Sequence, residues 1–138
     1  MIVIDSSILV MYFTREPGWE KAREIILRVG VTVDLAVKEV ANALWKKVRR
    51  GEMPLEHASS IIADLLRGNV VKIVRHEPLL PEALKVAVEE DITIYDALFI
   101  VLARKLSYPL ATADKRQAEV ARKLKIQATL LHNHRAPE

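Results

Sequence analysis

The chain has 138 residues, 51% hydrophobic and 28% charged, with four glycines and six prolines; this suits one domain, 1–138, and excludes disordered, collagenous and low-complexity chains. Twenty-one Lys and Arg against 18 Asp and Glu give a net charge of +3, which permits a polyanionic partner without requiring one. With no cysteine, disulfides, thiolate metal sites and a cysteine nucleophile are excluded, a reducing cytoplasmic compartment is expected, and any metal must be held by oxygen or imidazole.

In chain order, the first strand is expected at 1–4. Asp5 follows it too early for a signal peptide, and no later stretch approaches the roughly 18 apolar residues of a membrane span, so no membrane is expected. A short apolar helix is expected at 8–13. Trp19, Ala22, Ile25, Ile26 and Val29 then form a helical stripe after Pro17-Gly18. A strand at 31–35 leads to a second stripe, Val37, Val40, Ala41, Leu44 and Val48, which ends at Gly51. Leu55, Ala58, Ile61, Ile62 and Leu65 form a third, stopping at Gly68. After a strand at 70–74, Leu80, Ala83, Leu84, Ala87 and Val88 mark a helix opened by prolines. The unbroken apolar run 97–103 reads as a helix buried on most sides. A strand at 110–112, a helix at 115–124 and a strand at 127–131 complete the chain. Short β-branched strands alternating with helices define an α/β fold, a three-layer α/β/α sandwich on a five-stranded parallel sheet.

Ligands of open parallel sheets bind beyond the carboxyl ends of the strands. Four acids meet that condition. Asp5 follows the first strand, Glu39 lies in the first turn of the helix after the second, Asp96 opens the buried helix, and Asp114 follows the fourth strand. Each also has a structural role open to it: Asp5 and Asp114 as helix caps, Asp96 in a Thr93-Ile94-Tyr95-Asp96 capping box, Glu39 as a solvated residue favourable to its helix dipole. Carboxylates gathered at one edge repel one another unless a hard, oxygen-seeking cation neutralises them, which points to Mg²⁺ or Mn²⁺.

The order Val3-Ile4-Asp5-Ser6-Ser7, then Glu39-Val40-Ala41-Asn42-Ala43-Leu44, then Tyr95-Asp96-Ala97-Leu98, then Ala111-Thr112-Ala113-Asp114 resembles the PIN-domain family, in particular its VapC-type toxin ribonucleases, over essentially the whole chain. The resemblance implies a metal-dependent ribonuclease with sheet order 3-2-1-4-5, acting as a homodimer and silenced by a small antitoxin. Carried onto this sequence, it implies that Asp5 and Asp96 are the principal metal ligands, Glu39 a third acid and Asp114 the fourth, and that Thr112 supplies the hydroxyl two residues before the last acid. A phosphodiester is already anionic and resists attack, so a divalent ion is needed to acidify water and offset the charge that grows on the phosphate; the resemblance implies 5′-phosphate and 3′-hydroxyl products.

Other residues carry weaker signals. Lys115 and Arg116, beside Asp114, are candidates for phosphate contact, and Asn42 shares the helix face of Glu39. Lys46, Lys47, Arg49 and Arg50, like Arg104-Lys105 and Arg122-Lys123, read as solvated charges near helix ends. His57 and His76 are isolated, and His132 and His134 lack a third ligand. A haloacid-dehalogenase-type phosphatase would place a second Asp where Ser7 stands, a phosphoacceptor receiver would need its acceptor Asp after the third strand, and a dinucleotide site would need glycines in the first turn. The remaining alternatives are a non-catalytic PIN-like module that holds RNA or protein, and an RNA-processing nuclease without an antitoxin.

Overall fold

In the computed structural model, which describes residues 1–132, five short parallel strands form one sheet in the order β3-β2-β1-β4-β5. These are β1 (Ile2–Ile4), β2 (Gly30–Val33), β3 (Lys72–Val74), β4 (Leu110–Thr112) and β5 (Ala128–Leu130). Central β1 pairs Val3 with Val31 on one side and with Leu110 on the other. Ile2, Val3 and Ile4 are buried on both faces, as a parallel strand covered by two helical layers must be.

Seven α-helices among the described residues supply those layers: α1 (Ser6–Phe13), α2 (Trp19–Ile26), α3 (Leu35–Arg49), α4 (Leu55–Leu66), α5 (Leu80–Glu90), α6 (Ile94–Leu106) and α7 (Lys115–Lys123). Right-handed crossovers place α1 to α4 on one face and α5 to α7 on the other. The packing agrees, with α1 against α2 and α3, α3 against α4, and α6 between α5 and α7. The sandwich and strand order expected from the sequence are therefore present.

Helix α6 is the centre of its layer. Its run Ala97 to Ala103 is buried without interruption, and each large aliphatic or aromatic side chain so removed from water contributes about 1.5–3 kcal/mol. Thr93 caps its start, accepting from the Asp96 N–H at 3.1 Å. Helices α3 and α4 run out into Gly51 and Gly68, whose φ values of 74° and 72° lie in the left-handed region that glycine occupies without penalty.

Several details differ from the sequence reading, besides shifts of one or two residues at other element ends. Leu35 starts α3 rather than ending β2, and β3 begins only at Lys72. Helix α2 stops at Ile26, so Val29 takes φ 61° and stands exposed before Gly30. On α5, Ala83, Val86, Ala87 and Glu90 turn inward, which leaves Leu84 and Val88 in solvent. The pair of histidines considered at the C-terminus is only half within view, because Asn133 and His134 lie outside the described residues.

Candidate active site

The site lies where β1 and β4 end. Asp5 follows β1 and is buried, with 4% of its surface exposed. It caps α1, its Oδ1 accepting from the Ile8 N–H at 3.3 Å, so the cap and the site are one residue. Two hydroxyls hold its carboxylate: Ser7 donates to Oδ1 and Thr112 to Oδ2, each at 2.5 Å. Each hydroxyl in turn accepts a backbone N–H from the turn after β4, Ala113 for Ser7 and Asp114 for Thr112, both at 2.9 Å. The ends of β1 and β4 are thus tied together through one carboxylate.

Asp96 sits in the first turn of α6, half-buried, and Asp114 caps α7 by accepting from the Gln117 N–H at 3.1 Å. Buried Gln117 also donates from Nε2 to the Asp96 carbonyl at 2.9 Å, which locks α7 against α6. Glu39 proves to lie in the second turn of α3, not the first, because that helix begins at Leu35. Nor is it on a solvent face: it is half-buried, and its Oε1 is buried without a hydrogen-bond partner.

The electrostatics bring the four acids together around Asp96. Burial pushes the Asp5 carboxyl up to about 6, against the hydrogen bonds from Ser7, Thr112 and Ile8, and the Asp96 charge adds to the rise. Glu39 is raised by burial and by Asp96, opposed by the Ser6 hydroxyl. Asp96 itself is raised by burial and by the Asp114 charge, with Thr93 opposing. A set of oxygen donors with an unpartnered buried acceptor and carboxyls raised by burial and by neighbouring acids fits a hard divalent cation. The carboxylates stand apart rather than in a closed cage.

A cleft of about 760 Å³ opens over this edge, lined by Ser6, Ser7, Glu39, Tyr95 and Ala113 and extending between α1 and α3. Asn42 lines it, as its shared face with Glu39 suggested. Lys115 and Arg116 do not line it; the Arg116 guanidinium donates to the Glu90 carbonyl at 2.9 Å. Lys46, Lys47 and Arg50, read from sequence as solvated charges, do line it. The sequence reading also passed over Ser7 as a ligand-holding hydroxyl and Gln117 as a brace. The only sequence signal for Gln117 is its place three residues after the cap Asp114.

His76 is not isolated. Its Nδ1 lies 2.5 Å from Asp34 Oδ1, and its N–H donates to the same oxygen at 3.1 Å. Burial raises the Asp34 carboxyl, and the bonds and charge of His76 more than reverse this, leaving it below its ordinary value. With Glu77, these two are the three-residue group among the described residues whose ligand atoms lie within 4.8 Å of one another. They occupy the ends of β2 and β3, with Asp34 at the head of the helix that carries Glu39.

An acidic centre at the carboxyl edge of a 3-2-1-4-5 sheet defines a class, and comparison with known proteins supplies its name. The PIN domain family model matches residues 2–123; the chain belongs to this family, among its VapC-type members. Two curated relatives come from Pyrobaculum aerophilum. Ribonuclease VapC3 is 32% identical over 86% of this chain and 92% of its own length, and Exonuclease VapC9 is 32% identical over 82% and 80%. Among solved structures, that of PAE2754 from the same organism superposes with TM-score 0.69 and 26% identity, covering 86% of this chain and 83% of that one. A toxin-antitoxin complex from Klebsiella pneumoniae gives TM-score 0.61 at 13% identity, covering 86% and 90%, and shares the fold. No described helix is long and apolar enough to cross a membrane.

Proposed function

We propose that this chain, as one nuclease domain, is a Mg²⁺- or Mn²⁺-dependent ribonuclease and the toxin of a VapBC-type pair. The observation that carries the reading is the gathering of four acids at the carboxyl edge of the sheet, with Asp5 buried after β1, Asp96 in the first turn of α6, Asp114 at the head of α7 and a buried Glu39 oxygen without a hydrogen-bond partner. Burial raises Asp5, Glu39 and Asp96, and neighbouring acids add to the rise. Clustered, half-buried carboxylates are costly to keep without a cation to bind, which argues against a module that only holds RNA or protein. The names of the curated relatives, a ribonuclease and an exonuclease, support the same chemistry.

In this reading Asp5 and Asp96 are the metal ligands, Glu39 is a third acid and Asp114 completes the set. When bound there, a divalent ion acidifies water and offsets charge on the scissile phosphate. Asp5 is pre-aimed by Ser7 and Thr112, so its carboxylate is not free to turn away. The unpartnered Oε1 of Glu39 is an acceptor for a water proton or a ligand atom. Asn42, on the cleft wall, positions phosphate or water. Lys115, exposed at the head of α7, neutralises phosphate from the rim, while Arg116 serves as a brace for α5.

The partners follow from the same reading: RNA as substrate and a small antitoxin; a solved toxin-antitoxin complex from Klebsiella pneumoniae shares this fold. Exposed Leu84 and Val88, one helical turn apart on α5, favour a homodimer that covers them. The activity is placed in the cytoplasm, consistent with a chain without cysteine.

The test is the chemistry of the ends. RNA cut in Mg²⁺ or Mn²⁺ should carry 5′-phosphate and 3′-hydroxyl termini; a 2′,3′-cyclic phosphate would mean that the RNA's own hydroxyl attacks, and the reading would fall.

A further inference from the structure

Four residues on one ridge of α3, Lys38, Asn42, Lys46 and Arg50 at its C-cap, recur every fourth position and all line the cleft that begins at Glu39. Each is exposed. Among the described residues, Lys38, Lys46 and Arg50 form no ion pair, whereas neighbouring Lys47 is held by Glu52 at 3.0 Å. Four residues of helix rise about 6 Å, close to the separation of successive phosphates in an extended nucleic-acid strand. From Lys38 to Arg50 the ridge covers about 18 Å.

Two exposed aromatic rings border this ridge. Tyr95, 55% exposed, lines the cleft beside Asp96. Trp45, 54% exposed, stands outside the cleft on the α4 side of the ridge, where it adjoins Lys46 and Arg50 and has the Arg49 guanidinium 5.4 Å from its ring. The facing wall is supplied by Val10, Met11 and Thr14, with Glu16 at its end. A cationic groove with aromatic platforms is the design of single-strand binding: the cations follow the backbone and the rings stack bases of any sequence. An acidic protein segment would be served by the lysines but would leave the Tyr95 ring in the cleft without a stacking partner.

We infer that the α3 ridge is a phosphate track, which leads a single RNA strand from the acidic centre over Lys38, Asn42 and Lys46 to Arg50 and Trp45. The inference rests on the nuclease reading for its direction, since the track starts where the phosphate is cut. It explains why four cations crowd the end of α3: helix-dipole stabilisation needs one or two, and the track uses the ones that face the cleft.

The test separates binding from cutting. In an Asp96→Asn background, fluorescence anisotropy measures binding of a labelled 12-nucleotide single-stranded RNA across a salt series, with and without Lys46→Ala and Arg50→Ala. Both positions are exposed, and unchanged circular dichroism and melting would establish that the fold is kept. The track predicts at least about tenfold weaker binding for the double variant and a salt slope reduced by about 1.4, since each phosphate of a single strand that a cation neutralises adds about 0.7 to the slope. Unchanged affinity and slope would overturn it, whatever the nuclease assay gives. Equal binding of a poly-glutamate peptide of the same length, abolished in the same variant, would reassign the ridge to an acidic protein partner and also overturn it. The nuclease reading fails separately, if wild-type protein cuts no RNA while the track variants still weaken RNA binding.

Discussion

Thr112 gives its hydroxyl proton to Oδ2 of Asp5 across 2.5 Å while its oxygen receives the Asp114 N–H at 2.9 Å. One buried side chain thereby fixes the most buried acid of the site and the turn that carries the most exposed one. Thr112→Val keeps the shape and removes both bonds together with the hydroxyl's 3.2 Å contact to Gln117 Oε1. The expected result is a folded protein with roughly 10- to 100-fold lower metal-dependent cleavage, the usual effect of losing a residue that aims a ligand. Because the Thr112 bond lowers the Asp5 pKa, the acid limb of the pH–rate profile should move upward in the valine variant, and Thr112→Ser should restore both rate and profile.

The pH dependence has a definite sign. Asp5 is raised from 3.8 to about 6, chiefly by burial, so the folded state holds that proton more tightly than the unfolded chain. Its contribution to stability is therefore fully present below the unfolded pKa and is lost as pH rises through about 6, a loss on the order of 2–3 kcal/mol. Measured in chelator, Asp5→Asn should gain stability relative to wild type between pH 4 and 7. Cleavage runs the other way, rising over that window as Asp5 loses its proton, with a midpoint that falls as metal concentration rises. A relative stability that is flat with pH would contradict the burial argument.

Glu39→Gln tests the unpartnered oxygen. Removing a half-buried charge repelled by Asp96 should leave the metal-free melting temperature unchanged or higher, while cleavage falls by at least about tenfold. The rise in melting temperature produced by Mn²⁺ should shrink at the same time. A destabilised variant with normal cleavage per folded molecule would assign Glu39 a structural role instead.

Much of this was legible in the sequence, for reasons that the packing makes plain. The apolar run Ala97 to Ala103 announces a helix buried on every side, and it is one. The motifs around Asp5, Asp96 and Asp114 place each acid at an element end, where backbone geometry alone decides position. Glu39 was misjudged because a helix start one strand residue earlier, at Leu35, moves every later residue along the helix. The role of His76 was not legible: its partner Asp34 is 42 residues away, and only strand pairing brings them together. The basic residues at the end of α3 look alike in sequence; which of them face the cleft is set by how α1 packs against α3.

Gly30 tests the support beneath the site. A Cβ there would collide with the Ile4 Cδ1 and lie 2.9 Å from its Cγ1 and 3.1 Å from a Val71 methyl, so the buried Ile4 side chain must shift to admit it. Gly30→Ala should cost about 1–3 kcal/mol, read as a lower denaturant midpoint at unchanged slope. Since Ile4 immediately precedes Asp5, metal-dependent cleavage should fall as well.

The central claim is that the acids gathered on Asp96 hold a divalent ion that cuts RNA. The most direct measurement is the cleavage of end-labelled structured RNA by purified protein in Mg²⁺ or Mn²⁺, with chelator and Asp96→Asn run in parallel. The account predicts cutting by wild type that chelator abolishes and that Asp96→Asn lacks at every metal concentration. Cutting that survives in the variant or in chelator, or RNA bound but left intact by wild type in both metals, would contradict it.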